Sequence, residues 1–312
     1  MTGIEPLQDA VLIAGPTASG KSAAALELAR RLGGVVVNAD SMQVYSVLDV
    51  VTARPSADDL ALAEHRLYGH VHPSAGYSAG HWQRDVGDLI RSGALAGKRA
   101  IFTGGTGLYF KALAGGLSDI PETDQAIRDK WRDLLAADGP AGLHRQLTEL
   151  DPETAAALRP TDGQRIVRAL EVLESTGRPI RHWQSLPGVP LIELASVRRI
   201  VIDPGRYVTN QRVAGRFAKM VNDGALDEVK ALLDLNLDSA LPAMRAIGVD
   251  ELGCYLAGKM TLAGAIDRAI VATRQYAKRQ RTWFRNQFGP EWERISTSDE
   301  VNWVQLLDEI RL

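Results

Sequence analysis

Residues Ala10–Ser22 read A-V-L-I-A-G-P-T-A-S-G-K-S, an apolar run that feeds a glycine-rich loop ending in Lys21-Ser22. Gly15 and Gly20 hold the spacing G-x-x-x-x-G-K-[ST], and Ala23–Leu32 after them has helical composition. Such a loop turns successive backbone N–H groups into one concavity. The helix N-terminus behind it adds partial positive charge, and Lys21 adds a full one. Gly15, Pro16, Thr17, Ala18, Ser19, Gly20, Lys21 and Ser22 are therefore expected to cradle a diphosphate or triphosphate. ATP, GTP and other diphosphate esters all suit a loop of this kind.

Working outward, short β-branched runs alternate with helical stretches. Strands are predicted at Val11–Ala14, Gly34–Ala39, Arg66–Val71 and Ala100–Thr103, with a clear helix over Ser78–Ser92. Strand–helix alternation of this kind builds a parallel sheet with helices on both faces. The character changes near Ile120-Pro121, after which long helical patterns run to about His182 with breaks at Pro140, Pro152, Pro160 and Gly177-Arg178-Pro179. Val197–Ile202 reads as a strand that returns to the sheet, and Glu293–Ser296 as a last short one. The expectation is an α/β class fold: a parallel sheet core of the P-loop type from 1–120 and 195–312, with an all-helical insertion domain over 121–194.

Composition narrows the class further. The chain has 312 residues, 45% hydrophobic and 24% charged, as in ordinary globular proteins. Its single cysteine, Cys254, permits no intrachain disulfide and suits a reducing, cytoplasmic setting. No apolar run approaches the length of a membrane span, and the apolar N-terminal stretch turns straight into the glycine loop instead of a cleavage site. Net charge is −2, but the charges are segregated: Arg268–Phe288 holds six basic residues and no acid. A local basic strip in a mildly acidic chain is a sharper sign of a polyanionic partner than uniform basicity.

Ligands of open α/β sheets sit beyond the carboxyl ends of the strands. Besides the phosphate loop, two such ends are distinctive: Asp40-Ser41-Met42-Gln43-Val44-Tyr45 and Thr103-Gly104-Gly105-Thr106-Gly107-Leu108-Tyr109. Asp40 is the only carboxylate at these ends. It suits metal assistance or acceptance of a proton from a nucleophile, and also simple turn capping. Ser22, directly after Lys21, is the candidate metal contact. In the helical insert, Asp162 caps a helix on which Gln164 and Arg168 share a face with Arg165 beside them, a surface equally suited to gripping a nucleobase or to staying solvated. Near the C-terminus, Arg274, Lys278, Arg281 and Arg285 recur at helical spacing as one cationic stripe, while Trp283, Phe284 and Phe288 point to the core. His65, His70 and His72 lack a third partner at metal-ligating spacing and read as structural.

Five segments together resemble the tRNA dimethylallyltransferases, also called tRNA isopentenyltransferases (IPP transferases). They are Gly15–Ser22, Asp40–Tyr45, Gly104–Tyr109, Gln164–Val172 with Thr176-Gly177-Arg178-Pro179, and the Thr273–Trp283 strip, in the family's order over nearly the whole chain. The resemblance implies transfer of a dimethylallyl group from dimethylallyl diphosphate to N6 of adenosine-37 in tRNAs that read codons beginning with U. Mg²⁺ is the implied cofactor and Ser22 its contact. Carried over, the loop holds the donor's diphosphate, Lys21 stabilises the leaving group, Asp40 takes the amino proton and Thr106 contacts the substrate. The implied tRNA contacts are Asp40, Ser41, Met42, Gln43, Thr106, Arg128, Gln164, Arg165, Ile166, Val167, Arg168 and Arg245; the stripe adds Arg274, Lys278 and Arg281. A cytoplasmic monomer is expected.

Two positions depart from the family pattern: Val51 stands where Gly is expected, and Val249-Asp250 follow Gly248 where Tyr and a basic or polar residue are usual. Two other readings share the loop. A small-molecule kinase would place ATP in it, and a free-adenylate isopentenyltransferase would use the same core on a nucleotide, but neither gives the basic strip a purpose.

Overall fold

The computed structural model describes residues 5–115, 117–118 and 120–296. Two compact units emerge: residues 115–189, and the remainder. In the larger unit, β1 (Val11–Ala14), β2 (Val35–Asn38), β3 (Glu64–Arg66), β4 (Ala100–Gly104), β5 (Arg198–Ile202) and β6 (Glu293–Ile295) form one sheet of order β3-β2-β4-β1-β5-β6, with every pair parallel. The strands β1, β2 and β4 are buried along their whole length, as a sheet covered on both faces requires. Against one face, Val11, Ile13, Val36 and Ile101 pack on Ala24, Ala25 and Leu28 of α1 (Lys21–Leu32). On another part of the sheet, Phe102 meets the Trp82 ring from α3 (Ala79–Arg91), which stacks at 4.4 Å on Tyr109 of α4 (Gly107–Gly115). Trp82 Nε1 donates to the Asn38 carbonyl at 2.8 Å, so the one polar atom of this large core side chain is satisfied. The short α2 (Ala57–Leu62) completes this half.

The predicted strand over Arg66–Val71 sits instead at Glu64–Arg66. Leu67 adopts a left-handed φ of 62° and turns the chain out of the sheet, and only Val71 bridges back, to Tyr45. The other predicted strands fall where expected.

The smaller unit is all helical: α5 (Gln125–Leu150), α6 (Pro152–Ala156), α7 (Gly163–Thr176) and α8 (Ile180–Gln184). Within α5 the backbone leaves helical geometry at Gly139, next to Pro140, where the sequence predicts a break. Trp131, Leu143 and Leu147 bury against Ile166, Ala169 and Leu170. The unit ends sooner than the predicted 194. Leu191 N donates to the Leu113 carbonyl and Glu193 N to that of Leu7, so this stretch is pinned to the sheet-bearing unit by backbone bonds.

After β5 come α9 (Gly205–Asn222), α10 (Ala225–Asp234), α11 (Val249–Leu256) and α12 (Leu262–Gln287). They share a core of Phe217, Met220, Val229, Leu232, Leu252 and Ala265 with Val44, Tyr45 and Leu48 from the segment after β2. Among the described residues no helix is long and apolar enough to cross a membrane.

The strand order sets the site. Because β2, β4 and β1 are adjacent, their carboxyl ends open side by side. The approach is so close that a Cβ on Gly104 would lie 2.0 Å from the Ala39 carbonyl. Gly104→Ala should therefore destabilise the protein by about 1–3 kcal/mol or more, as forced overpacking does. Urea unfolding checks this; an unchanged midpoint would mean that β2 and β4 are not so closely apposed.

Candidate active site

The phosphate loop owes its shape to two left-handed residues, Ala18 (φ 61°) and Gly20 (φ 95°), which turn neighbouring N–H groups the same way. Gly15 N donates to the Gly104 carbonyl at 3.3 Å, Ser19 N to Pro16 O at 3.2 Å, and Ser19 Oγ faces Lys21 N at 3.4 Å. Lys21 is buried, with Nζ 3.4 Å from the Pro16 carbonyl. Burial lowers its pKa to about 8, against a partly compensating pull from Asp40. Ser22 is exposed on the first turn of α1.

Asp40 follows β2, fixed by an Asn38 side chain that accepts from Asp40 N and donates to the Asp40 and Leu67 carbonyls. Its Oδ1 accepts from Met42 N at 3.0 Å. Thr106 joins this loop to the end of β4: its Oγ1 accepts from Ser41 N at 2.9 Å and lies 3.2 Å from Ser41 Oγ. Gln43 does not point to open solvent; Nε2 donates to the Thr52 and Ala53 carbonyls. Lys21, Asp40 and Thr106, spread over the sequence, are thus brought together.

Sequence reasoning missed Arg216. It lies on α9, and its burial lowers its pKa while the Asp40 charge raises it. Arg212, one turn earlier, reaches the Ser19 carbonyl at 3.3 Å, and Arg216 reaches that of Thr52 at 3.5 Å. The only available signal was a helix carrying Arg at i and i+4 with no acid between them. Tyr276 was missed too. Burial first, and then the Asp40 charge, keep its phenol protonated, and it lines the same cavity as Asp40. A cavity of about 310 Å³ opens here, at the small end for a ligand site. Thr17, Asp40, Ser41 and Arg216 supply its polar lining and Ala18, Val51, Val213, Phe217 and Met220 its apolar lining, with Arg245 also beside it.

Both departures from the family pattern are accommodated. Val51 is buried in the cavity wall, its loop held by Glu228, whose carboxylate accepts from the N–H groups of Asp49, Val50 (2.8 Å) and Val51 (2.7 Å). Val249 is buried, and Asp250 pairs with Arg268 at 3.4 Å on the surface.

The stripe on α12 needs correction at Arg281. This guanidinium forks onto Asp203 at 2.7 and 2.9 Å and also reaches Thr209, so its charge is spent inside the protein. Arg274, Lys278 and Arg285 are exposed. Phe284 and Phe288 are buried as expected, whereas Trp283 is only half-buried. In the insert, Gln164 and Arg165 are exposed, with Arg165 3.5 Å from Asp162. Val167, Arg168 and Arg128 are half-buried, and Arg168 donates to Thr123 and Glu171. Ile166 is a second correction: at 0% exposure its side chain belongs to the insert's core and cannot touch a partner. His65, His70 and His72 bond locally, to Ala63, to Tyr77 and Asp85, and to Ser74.

A family model described as isopentenyl transferase matches residues 8–71, and one described as IPP transferase matches residues 43–287. A tRNA dimethylallyltransferase of Chelativorans sp. (strain BNC1) is 57% identical over 93% of this chain and 99% of its own length. One of Mesorhizobium japonicum is 55% identical over 95% and 92%. Among solved structures, the full-length tRNA isopentenylpyrophosphate transferase of Bacillus halodurans superposes with a TM-score of 0.64 at 32% identity, covering 96% of this chain and 94% of that one. A eukaryotic dimethylallyltransferase acting on tRNA gives 0.74 at 28% identity, over 88% and 69%. The phosphate loop and Asp40 fall inside the first matched segment and α9 to α12 inside the second, and the chain belongs to the IPP transferase family.

Proposed function

We propose that this protein transfers a dimethylallyl group from dimethylallyl diphosphate to N6 of adenosine-37 in tRNAs reading codons that begin with U, releasing diphosphate. The observation that carries this reading is the placement of one carboxylate, Asp40, between a phosphate loop and an apolar cavity, with the cations of buried Lys21 and half-buried Arg216 facing it. A kinase would need its cavity to hold a nucleoside beside the loop. Here the wall nearest Arg216 is Val213, Phe217 and Met220, suited to a short hydrocarbon.

In the proposed reaction the C1–O bond of the donor breaks and the N6–C1 bond forms. The N6 proton passes to Asp40, and the diphosphate keeps the electron pair. An exocyclic adenine amine is a weak nucleophile, so holding it against the ionising carbon supplies much of the acceleration. Lys21, Arg216 and the loop amides stabilise the charge that gathers on the departing diphosphate. Thr106 fixes the Ser41 backbone and thereby the carboxylate beside it. To reach Asp40 the adenine must leave the anticodon-loop stack.

The donor set fits Mg²⁺ of the kind held largely by substrate oxygens: Ser22 offers an exposed hydroxyl at the loop's end, and among the described residues no group of three carboxylate, His or Cys ligands competes for a metal. Ser22 would hold the ion, which when bound neutralises diphosphate charge. For the acceptor, exposed Arg274 and Lys278 on α12, Arg245 at the cavity, and exposed Gln164 and Arg165 on the insert are the proposed tRNA contacts. We take the protein to act as a monomer in the cytoplasm, a setting that suits a chain whose single cysteine, Cys254, can form no intrachain disulfide.

Asp40→Asn should keep tRNA binding and lower transfer by roughly 10²- to 10⁴-fold, the usual worth of a general base. Mass spectrometry of nucleosides after incubation with unmodified tRNA reads this; near-normal turnover would remove Asp40 from the role. With Lys21 titrating at about 8, affinity for inorganic pyrophosphate should fall as pH rises above that value, because the free ammonium is then lost, whereas Lys21→Arg should not share this loss. Isothermal calorimetry of both proteins tests it. Neutralising Arg274 and Lys278 together should weaken tRNA binding and reduce its salt slope by about two. Unchanged binding across ionic strengths would make those residues structural.

A further inference from the structure

Gln280 has no place in the chemistry above, yet it is 5% exposed and its amide end lies among the strand-end loops. Its Oε1 accepts from Thr17 N, in the phosphate loop, at 2.9 Å, and its Nε2 donates to the Gly105 carbonyl, after β4, at 3.0 Å. The amide orientation is fixed by the partners: a backbone N–H can only donate, and a carbonyl can only accept. Gly105 is fitted to this contact, since a Cβ there would lie 2.0 Å from Nε2 and 3.2 Å from Asp40 Oδ2. Thr106, directly after Gly105, in turn holds Ser41 N through its Oγ1.

We propose that Gln280 is a positioning residue that sets the phosphate loop in register with the Gly105–Thr106 turn, and so with Asp40. Glutamine is suited to this because it offers one acceptor and one donor at a single end. Glutamate at neutral pH lacks the donor, methionine lacks both, and lysine lacks the acceptor. By taking up the Thr17 N–H, Gln280 also removes that group from the set available to a diphosphate and holds the loop open before any ligand arrives. The side chain springs from α12, the helix whose opposite face carries exposed Arg274 and Lys278, so one rigid element presents the proposed RNA contacts and aligns the donor cradle.

The consequence for transfer rests on the prenyl-transfer reading; the alignment of the loop does not. Three proteins are compared: the natural chain, Gln280→Met and Gln280→Glu. Single-turnover dimethylallyl transfer should fall roughly 10- to 100-fold in Gln280→Met, the scale expected when reacting groups are displaced by about an ångström, with tRNA affinity retained. Gln280→Glu should regain activity as pH falls, because a protonated carboxyl can again donate to Gly105 O and accept from Thr17 N. That acid-side recovery should be missing from the natural chain and from Gln280→Met. Thermal unfolding at each pH separates this from loss of fold. Wild-type transfer in both variants at every pH would overturn the proposal. If the natural chain moves no prenyl group, the chemical reading has failed, and inorganic pyrophosphate binding still reads the alignment, which predicts weaker binding in Gln280→Met. Should the variants not fold, amide hydrogen exchange of the natural chain decides: the Thr17 N–H should be protected, and free exchange there would overturn the proposal.

Discussion

The structure turns on one electrostatic arrangement: the Asp40 carboxylate faces two cations, Lys21 and Arg216, that burial alone would push toward neutrality. A buried ammonium is costly without a counter-charge, and Asp40 is the group that offsets part of that cost. The same geometry serves chemistry. With the diphosphate of the proposed reaction beside Lys21 and Arg216, their charges would be satisfied from the ligand side, leaving the carboxylate to act as the proposed base. The sheet provides this because β2, β4 and β1 are neighbours and all parallel, so their three carboxyl ends open onto the same place.

Around that centre the protein uses backbone hydrogen bonds more than bulk to hold its loops. Asn38 fixes the entry to Asp40, Thr106 fixes Ser41, Gln280 spans Thr17 and Gly105, and Glu228 receives the amides of Asp49 to Val51. Each such bond contributes about 0.5–1.5 kcal/mol when made, and an unmade buried partner costs more than that. The result is a set of loops with few alternatives, suited to a reaction that depends on alignment.

Much of the fold was legible because its signals are local. The phosphate loop is contiguous, Asp40 and Thr106 directly follow β-branched runs, and the Asp162 cap and Gly139–Pro140 break carry their own residue chemistry. What stayed hidden depends on partners distant in sequence. Arg281 matches the cationic spacing of α12, but Asp203, which neutralises it, lies 78 positions away. Ile166 sits in a polar-looking segment and is buried by α5. Arg216, Tyr276 and Gln280 are ordinary helix residues until packing turns them toward the loops. The misplaced β3 has a local cause of another kind, since a leucine at positive φ is not a turn that composition announces.

Most depends on whether the loop holds the diphosphate of a prenyl donor beside Asp40. Crystallography of the protein with a non-ionising thio analogue of dimethylallyl diphosphate and Mg²⁺ tests it most directly. The diphosphate should lie against the free amides of the Gly15–Ser22 loop, Thr17 N–H being held by Gln280, with Lys21 and Arg216 around it, and the hydrocarbon along Val213, Phe217 and Met220 with its first carbon toward Asp40. A diphosphate bound elsewhere, or a nucleoside triphosphate filling the loop and excluding the analogue, would contradict it.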